Sequence, residues 1–358
     1  MIAPFAALLA VATLLSSTAA PAGDAVLFRF ADPRITEASG IAAGRLSPGV
    51  FYVQNDSGDS ARFFAIDRRT GATVATVTVA GARNVDWEDI AVGPNAAGTP
   101  SVWLADIGDN DAVRHTVQLY RVVEPRLDPQ SRNRTVRLPV AEKWRLRYPG
   151  GPVDAESLAV APDGTPYLVT KSFGGATVYR VPDTARPDQV QRVRQVAQLA
   201  LHETGTGNPF GLAGQLTATG AAISADGEYF AIRTYADAWV WRRDAPPDLA
   251  LGADPVVVPL PSQPQGEGIA IVGGRLVIDS EGAHTRVYSI RLPAELRGPA
   301  PAPTGSPLPD NGTTGPTGPA ASAGPHIGSR VWLYLIGGAA LLILAGGAVR
   351  NRRGRPGR

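Results

Sequence analysis

Carboxylate side chains recur along this chain in a phrase in which an acidic residue precedes a short aliphatic run. The four copies begin at Glu37, Glu88, Glu156 and Glu267. Asp86 and Asp154 stand two residues ahead of the second and third copies. Recurrence at periods of this size indicates a repeat architecture. Because the repeated unit contains carboxylates, it predicts a functional site as well as a fold.

A second polar cluster follows the next aliphatic stretch of each unit. Asp56-Ser-Gly-Asp59 and Asp106-Ile-Gly-Asp109 are two copies of a D-x-G-D phrase. Later units carry Lys171, Arg233 and Asp279-Ser-Glu281 at that place. If each unit is a propeller blade, the first strand starts and the second strand ends on the same face, near the axis. We therefore predict metal ligands at one channel mouth, namely Glu37, Asp56, Asp59, Asp86, Glu88, Asp106, Asp109, Asp154, Glu156, Glu267, Asp279 and Glu281, with Lys171 and Arg233 as anion-binding residues.

Carboxylates crowded in this way must protonate, pair with cations or bind a metal. Hard oxygen ligands with glycine nearby suit Ca²⁺, although the spacing is not that of an EF-hand. The alternative is structural: the carboxylates pair with Lys171, Arg233 and Arg83, or accept hydrogen bonds that order their loops. Both interpretations remain open at this point.

Strands dominate the elements that would position these residues. After each acidic phrase, second strands are predicted at 50–53, 102–104, 167–169, 229–233 and 276–278, and third strands at 63–66, 117–120, 177–180, 238–241 and 286–290. Fourth strands are predicted at 73–79, 143–148, 192–199 and 256–260. Four antiparallel strands make one blade, so the sequence predicts an all-β propeller of five or six four-stranded blades. Long insertions in the second and third units leave room for the sixth.

Residues 25–30 form a lone predicted strand, which we expect to complete the last blade and close the ring, removing exposed sheet edges. An open β-sandwich is the competing architecture. It does not explain why the same carboxylate recurs in each unit.

The unit that begins Glu267-Gly-Ile-Ala-Ile and continues with Leu276-Val-Ile-Asp279-Ser-Glu281 resembles a blade of the phytase-like β-propeller superfamily. The pattern is shared by TolB-like and NHL-like extracytoplasmic propellers. The resemblance implies that the E-G strand starts and the polar strand ends build a calcium-lined phosphate site. It also implies several basic residues there, for which this chain offers Lys171, Arg233, Arg83 and Arg114.

The two ends of the chain predict a membrane-tethered protein. Residues 1–22 have the apolar run and small-residue cleavage site of a signal peptide. Residues 298–328, rich in Pro, Gly and Thr, are expected to form a disordered stalk, and 329–349 a transmembrane helix. The arginine-rich tail, 350–358, predicts a cytoplasmic C-terminus. The ectodomain, 23–297, would then stand on the outer side of the cell membrane.

Composition excludes several function classes. The chain has no cysteine, so disulfides, thiol catalysis and Cys-ligated zinc are impossible. Its formal charge of +2 includes five tail arginines, and removing that +5 leaves −3, which opposes nucleic-acid binding. A G-x-S-x-G nucleophile motif is also missing from the sequence. His115 is a loop histidine that either has no role or reaches the mouth as an acid or base.

Two functions fit this sequence. The first is a cell-surface binding or scaffold module with an acidic mouth, structural or calcium-loaded, that engages an extracellular protein, a glycan or an anionic small molecule. The second is a metal-dependent hydrolase of phosphate or other anionic esters. There Glu88, Glu156, Asp106 and Asp279 would hold the metal that activates water, while Lys171 and Arg233 bind substrate. A hydrolase of polyanions should be basic around its metals, so the acidic mouth favours the binding module.

Overall fold

The computed structural model describes residues 25–182, 186, 189–243 and 254–297. These residues form 22 strands and two short helices, arranged in five separate sheets. The predicted signal peptide, stalk, transmembrane helix and cytoplasmic tail lie outside them. Neither described helix has the length and apolar character needed to cross a bilayer.

Each sheet is one blade whose strands run antiparallel from the axis outward. Blade 1 contains β2 (Ala38–Ala43), β3 (Val50–Asn55), β4 (Arg62–Asp67) and β5 (Thr73–Ala80). Blade 2 contains β6 (Trp87–Pro94), β7 (Pro100–Asp106), β8 (Val117–Val123) and β10 (Glu142–Arg147). Blade 3 contains β11 (Ala155–Val160), β12 (Pro166–Thr170), β13 (Gly175–Arg180) and β15 (Arg194–Ala200). The four predicted strands of each unit are confirmed.

Blade 4 contains β16 (Ala218–Ile223), β17 (Tyr229–Thr234), β18 (Asp237–Arg242) and β19 (Val256–Pro259). Blade 5 contains β20 (Ile269–Val272), β21 (Arg275–Ile278), β22 (Arg286–Arg291) and, as its outer strand, β1 (Ala25–Arg29). Helix α1 (Gly211–Gln215) lies in the loop before blade 4, and a 3₁₀ turn, Ala294–Arg297, follows β22. Because β1 pairs with β22, the N-terminal strand closes the ring, as predicted.

The molecule is therefore a five-bladed β-propeller. The long insertions that could have held a sixth blade each contribute one extra strand instead. The insertion in the second unit contributes β9 (Arg134–Pro139), which pairs parallel with β5 of blade 1. The insertion in the third unit contributes β14 (Val190–Arg192), which pairs parallel with β10 of blade 2. Each insertion thus adds a fifth strand to the preceding blade. Five distinct sheets around one axis also rule out the β-sandwich.

The hydrophobic core lies between blades. Five clusters of buried side chains each join residues of two neighbouring blades, and the last joins blade 5 to blade 1. Trp103 and Trp144 of blade 2, for example, stack at a centroid distance of 5.1 Å inside the cluster shared with blade 3. Both faces of each blade are covered in this way, which is why β11 is buried along its whole length. The inner strands β2, β6, β11, β16 and β20 contact one another in a closed ring around the channel.

Candidate functional site

Four of the five inner strands, β2, β6, β11 and β16, have an irregular ladder at their start, where one residue is left out of the regular pairing. The register shifts between Ala38 and Gly40, Trp87 and Asp89, Ala155 and Ser157, and Ala218 and Gly220. The extra residue of each bulge is Ser39, Glu88, Glu156 or Thr219. In blade 5 the corresponding residue is Glu267. The carbonyl of the next residue, Gly268, accepts a hydrogen bond from the Asp279 N–H, so Gly268 takes the place that Gly40 has after Ser39 in blade 1. Bulges re-aim side chains in this manner.

Glu37 belongs to a different position of the repeat than the sequence phrase suggests. It lies two residues before the bulged Ser39, as Asp86 and Asp154 lie two residues before Glu88 and Glu156. The carbonyls of this outer position accept equivalent bonds: Asp56 N–H donates to Glu37 at 3.0 Å, Gly108 to Asp86 at 3.2 Å, Lys171 to Asp154 at 3.0 Å and Glu281 to Gln265 at 2.9 Å. Aligning Glu37 with Glu88, Glu156 and Glu267 was therefore wrong by two residues.

The same bonds define a third position, at the end of each second strand. It is occupied by Asp56, Gly108, Lys171, Tyr235 and Glu281 in blades 1 to 5. The three positions together bring eight carboxylates to one mouth of the channel, hereafter the acidic mouth: Glu37, Asp56, Asp86, Glu88, Asp154, Glu156, Glu267 and Glu281. Blade 4 contributes Thr217, Thr219 and Tyr235 instead, and so no carboxylate.

These carboxylates are close enough to disturb one another's ionisation. Burial raises the pKa of Asp56 to about 7, and the charges of Glu156 and Asp86 add to the shift. Burial, followed by Glu156 and Asp56, raises the pKa of Glu88 well above its usual range. Burial and then Glu267 and Asp56 raise that of Glu281 to about 9. Interaction from one blade to the next across the channel means that the mouth behaves as one site.

Asp56, Asp86 and Glu88 form a compact group of carboxylates. One oxygen from each lies within 4.8 Å of the other two. Oxygens on opposite sides of a calcium ion are about 4.6 to 5.2 Å apart, since each Ca–O distance is about 2.3 to 2.6 Å. The three residues come from two adjacent blades, so only the closed ring brings them together. Their spacing and donor type fit a calcium ion.

Gly108 makes this close approach possible. A Cβ atom at this position would overlap Glu88 Oε1, and it would lie 2.6 Å from Asp86 Oδ2. Blades 1 and 5 have carboxylates at the corresponding position, Asp56 and Glu281. The glycine of the second D-x-G-D phrase therefore leaves room for two carboxylates of its own blade.

Lys171 is the ammonium group of the acidic mouth. Its Nζ lies 3.0 Å from Glu156 Oε1, with side-chain exposures of 15% and 4%. Burial works against the charge of Lys171, but Glu156 and Glu267 outweigh burial and raise its pKa well above the usual range. Lys171 is thus charged and already paired.

Glu267 adds an independent sign of an incomplete coordination shell. Glu267 is 2% exposed, and its Oε2, like Asp106 Oδ2 and Asp279 Oδ2, accepts no hydrogen bond from the described residues. Burial raises its pKa to about 8 despite the opposing charge of Lys171. Buried polar atoms normally have a partner, so an unpartnered oxygen beside other carboxylates points to a proton or a cation.

Four of the predicted metal ligands have structural partners instead. Asp59 pairs with Arg62 at 2.9 Å, and Asp106 with Arg114 at 2.7 Å. Asp109 accepts the N–H groups of residues 113 and 114, which orders the loop after β7. Asp279 accepts the Gly268 N–H at 2.8 Å, under the mouth. The two D-x-G-D phrases are not equivalent, because Asp106 pairs in the ladder with Trp87, where blade 1 has Asn55 opposite Ala38.

Arg233, predicted to bind an anion, is completely buried. Its guanidinium donates to the carbonyls of Gly268 at 2.5 Å and Asp279 at 2.9 Å, and to Gln263 Oε1 at 2.6 Å. Burial lowers its pKa to about 10, against the pull of Asp279 and Glu267. These bonds join blades 4 and 5 beneath the acidic mouth.

Sequence reasoning missed Tyr235 and Thr219, whereas it predicts Ser39 as a hydrogen-bonding residue at a strand start. Tyr235 is 5% exposed and follows β17, as Lys171 follows β12. Ser39 and Thr219 donate to carbonyls at the start of the next blade, Ser39 to Glu88 at 2.6 Å and Thr219 to Gly266 at 3.1 Å. An alignment of the bulged positions would have found both, but bulges leave no sequence signature of their own.

No protein-family model matches the chain, and no curated protein matches it either. Among solved structures, the β-propeller domain of Cps50 (Swd1) from Myceliophteria thermophila is similar over 71% of this chain and 83% of that one, at 10% identity and a TM-score of 0.36. A luciferin-regenerating enzyme is similar over 71% of this chain and 77% of its own, at 14% identity and a TM-score of 0.37. The propeller assignment rests on the strand pairing above, and the phytase-like and TolB-like resemblance stays a prediction.

Proposed function

We propose that this propeller is a cell-surface binding module whose acidic mouth holds a calcium ion. The observation that carries the proposal is the group formed by Asp56, Asp86 and Glu88, whose oxygens lie within 4.8 Å of one another. The buried, unpartnered Oε2 of Glu267 supports it independently. Two predictions that lie outside the described residues, a signal peptide at 1–22 and a membrane helix at 329–349, support presentation at the cell surface.

The charge balance of the mouth favours a cation as its ligand. Eight carboxylates surround the channel there, and two cations close to them, Lys171 and Arg114, are already paired with Glu156 and Asp106. Without a metal, several of these carboxylates must remain protonated at neutral pH. A divalent cation would replace those protons and remove the repulsion.

Calcium suits the donor set better than transition metals do. The mouth offers oxygen donors. Thiolate ligands are excluded because the chain has no cysteine. The described histidines lie outside this group of carboxylates. His202 packs against Trp239, and His284 contacts the Phe30 carbonyl. Ca²⁺ accepts six to eight oxygens in flexible geometry, so carboxylates from two blades can be completed by water or by a ligand.

The binding module is preferred over the hydrolase for a specific reason. A hydrolase of anionic esters needs free cationic groups beside its metal. Lys171 is engaged by Glu156, and Arg233 is enclosed by three acceptors under the mouth. We therefore propose that a bound calcium ion presents its open coordination positions to a protein, a glycan or an anionic small molecule, and that it does not activate water.

The test is calcium binding by the purified full-length protein in detergent, measured by titration calorimetry and by the unfolding temperature in EDTA and in Ca²⁺. A ligand at 100 times its Kd stabilises the folded state by about 2.7 kcal/mol. We expect Asp86→Asn and Glu88→Gln to lower the affinity at least about tenfold, because ligand charge tunes calcium sites. Asp111→Asn, in the exposed part of the neighbouring loop, should leave the affinity unchanged.

Absence of binding heat and of a stability difference in the wild type would contradict the proposal. The carboxylates would then be structural, stabilised by protons and by Lys171. Equal losses in all three variants would mean that calcium responds to the overall negative charge of this face and that the mouth is not a specific site.

A further inference from the structure

A second charged site lies outside the acidic mouth, at the outer edge of blade 2. A cavity of about 370 Å³ is lined there by His115, Arg147, Tyr148 and Arg192, together with proline and glycine residues of the segment 149–152. We call it the basic groove. His115, Arg147 and Arg192 are all exposed, so solutes can reach it. Nothing in the acidic mouth explains why three basic side chains should converge here.

Arg147 and Arg192 are direct neighbours across a strand pair. They are register partners in the parallel ladder between β10 and β14. Adjacent strands lie about 4.8 Å apart, and paired residues project from the same face. Like charges directly opposite one another destabilise a sheet. The insertion that carries β14 therefore creates an unfavourable contact unless something negative lies between the two side chains.

The protein supplies no such negative group from its described residues. Neither guanidinium forms an ion pair there, and Arg192 makes a single hydrogen bond, from Nη2 to the Pro149 carbonyl at 3.1 Å. Two other arginines of this part of the molecule form ion pairs. Arg121 pairs with Glu142 at 2.7 Å, and Arg114 pairs with Asp106 at 2.7 Å. Arg145 of β10 is also exposed and forms no ion pair among the described residues, so what distinguishes Arg147 and Arg192 is that they face each other across a ladder.

Tyr148 provides a further indication. It lines the groove, is 6% exposed, and its buried hydroxyl has no hydrogen-bond partner among the described residues. A buried hydroxyl without a partner is uncommon. A ligand that enters the groove, or water that accompanies it, would offer this group a partner.

We propose that the basic groove binds an oxyanion, that is, the phosphate or carboxylate group of a small molecule. Paired guanidinium groups are well suited to oxyanions because each can donate two parallel hydrogen bonds to them. His115 adds an imidazole that can donate a further hydrogen bond. The inference uses different side chains from the calcium proposal, although Tyr148 lies near enough to the mouth that burial and then the charge of Asp154 raise its pKa.

The experiment uses full-length protein in detergent and measures the unfolding temperature and the binding heat during titration with inorganic phosphate. Ionic strength is held constant with sodium chloride, and citrate is titrated in parallel as the carboxylate probe. The variants are Arg147→Gln and Arg192→Gln. The matched control is Arg145→Gln, an exposed arginine of β10 two residues earlier that does not line the groove.

We expect phosphate, citrate or both to raise the unfolding temperature of the wild type beyond the effect of chloride. The stronger of the two identifies the preferred oxyanion. Each groove variant should lower the affinity at least about tenfold, because a hydrogen bond between charged groups is lost. Without an oxyanion, Arg147→Gln should be at least as stable as the wild type, since like-charge repulsion is removed.

Two results would overturn the inference. If phosphate and citrate act no more strongly than chloride, the two arginines are simply separated by solvent. If Arg145→Gln loses as much as the groove variants do, the effect is general charge screening. Glu88→Gln separates the two proposals: if calcium binds at the mouth, this variant should impair calcium binding, and if an oxyanion binds in the groove, this variant should leave that binding unchanged.

Discussion

The five inner strands build both ends of the central channel, yet the two ends have opposite chemistry. At their starts the strands present the carboxylates of the acidic mouth, among them Glu88 and Glu156. Toward their far ends the same strands enclose a cavity of about 230 Å³ lined mainly by aliphatic residues such as Ile41, Ile90 and Leu158. The same ring of inner strands therefore accommodates charged side chains at one end of the channel and aliphatic side chains at the other.

Local backbone geometry accounts for the difference. A bulge at the start of β2, β6, β11 and β16 takes one residue out of the regular alternation and leaves its side chain free for a polar role. Beyond the bulge the ladder is regular, and each residue packs either against the next blade or toward the axis. The side chains of the acidic mouth thus lie at the irregular starts of the strands, while the regular parts of the strands pack in the hydrophobic core.

The largest expected effect comes from placing a carboxylate at the apolar end. Leu158→Asp should lower the free energy of unfolding by at least about 3 kcal/mol, because it buries an unpaired charge in an aliphatic site. The Leu158 N–H donates to Asp89 at 2.7 Å, and burial already raises the pKa of Asp89 well above its usual range, so a second carboxylate at this place would face the same penalty. Urea unfolding measures the loss, and Leu158→Met serves as the control, with a cost below about 1.5 kcal/mol. A tolerated Leu158→Asp would contradict the contrast between the ends.

The acidic mouth should make the metal-free protein less stable as the pH rises. In the folded state burial raises the pKa of Asp56 and Asp154 to about 7, of Glu267 to about 8 and of Glu281 to about 9. The unfolded chain releases these protons near pH 4, so between about pH 4 and 9 the folded state holds more protons. The stabilisation is fully present below pH 4 and is lost as the pH rises through the folded pKa values.

Unfolding in EDTA at several pH values between 5 and 9 tests this expectation. Calcium, by replacing the protons, should flatten the decline. A metal-free protein that becomes more stable toward pH 9 would mean that the carboxylates are ionised and paired in the folded state.

Gly108→Ala should affect metal binding more than folding. The added methyl group would displace the Glu88 and Asp86 carboxylates, whereas the backbone of Gly108 lies outside the positive-φ region and accepts alanine. We expect calcium affinity to fall by about 10- to 100-fold, as when groups supporting a metal ligand are altered. Calorimetry of this variant, beside its unfolding in EDTA, separates the two effects; an unchanged affinity would remove Glu88 and Asp86 from the site.

The smallest effect is expected at blade 4, the part of the mouth without carboxylates. Thr219→Val removes the hydroxyl that donates to the Gly266 carbonyl and should cost about 1 kcal/mol of stability. Calcium affinity should not change, because this residue contributes only to the junction with blade 5. A loss of calcium binding would instead make blade 4 part of the site.

Much of the architecture could be predicted from the sequence. The four strands of each unit, the closure of the ring by residues 25–30 and the convergence of Glu88, Glu156 and Glu267 on one mouth follow from alternation and repeat spacing. Those signals are local, since a strand's buried face is recorded in its own residues. The roles of Asp59, Asp106 and Arg233 could not be predicted, because a charged residue's partner is chosen by distant segments.

By itself, the sequence determined a repeated four-stranded unit, the absence of thiol chemistry and the concentration of carboxylates at strand starts and ends. Tertiary structure alone decided that there are five blades, because each long insertion adds a strand to the preceding blade through parallel pairing. It also decided that Glu37 aligns with Asp86, and that Arg147 stands beside Arg192. The register of the strands, and the pairing of an inserted strand with the preceding blade, depend on which backbone groups are brought together when the ring closes. These contacts join distant segments, so a local pattern of residue types does not predict them.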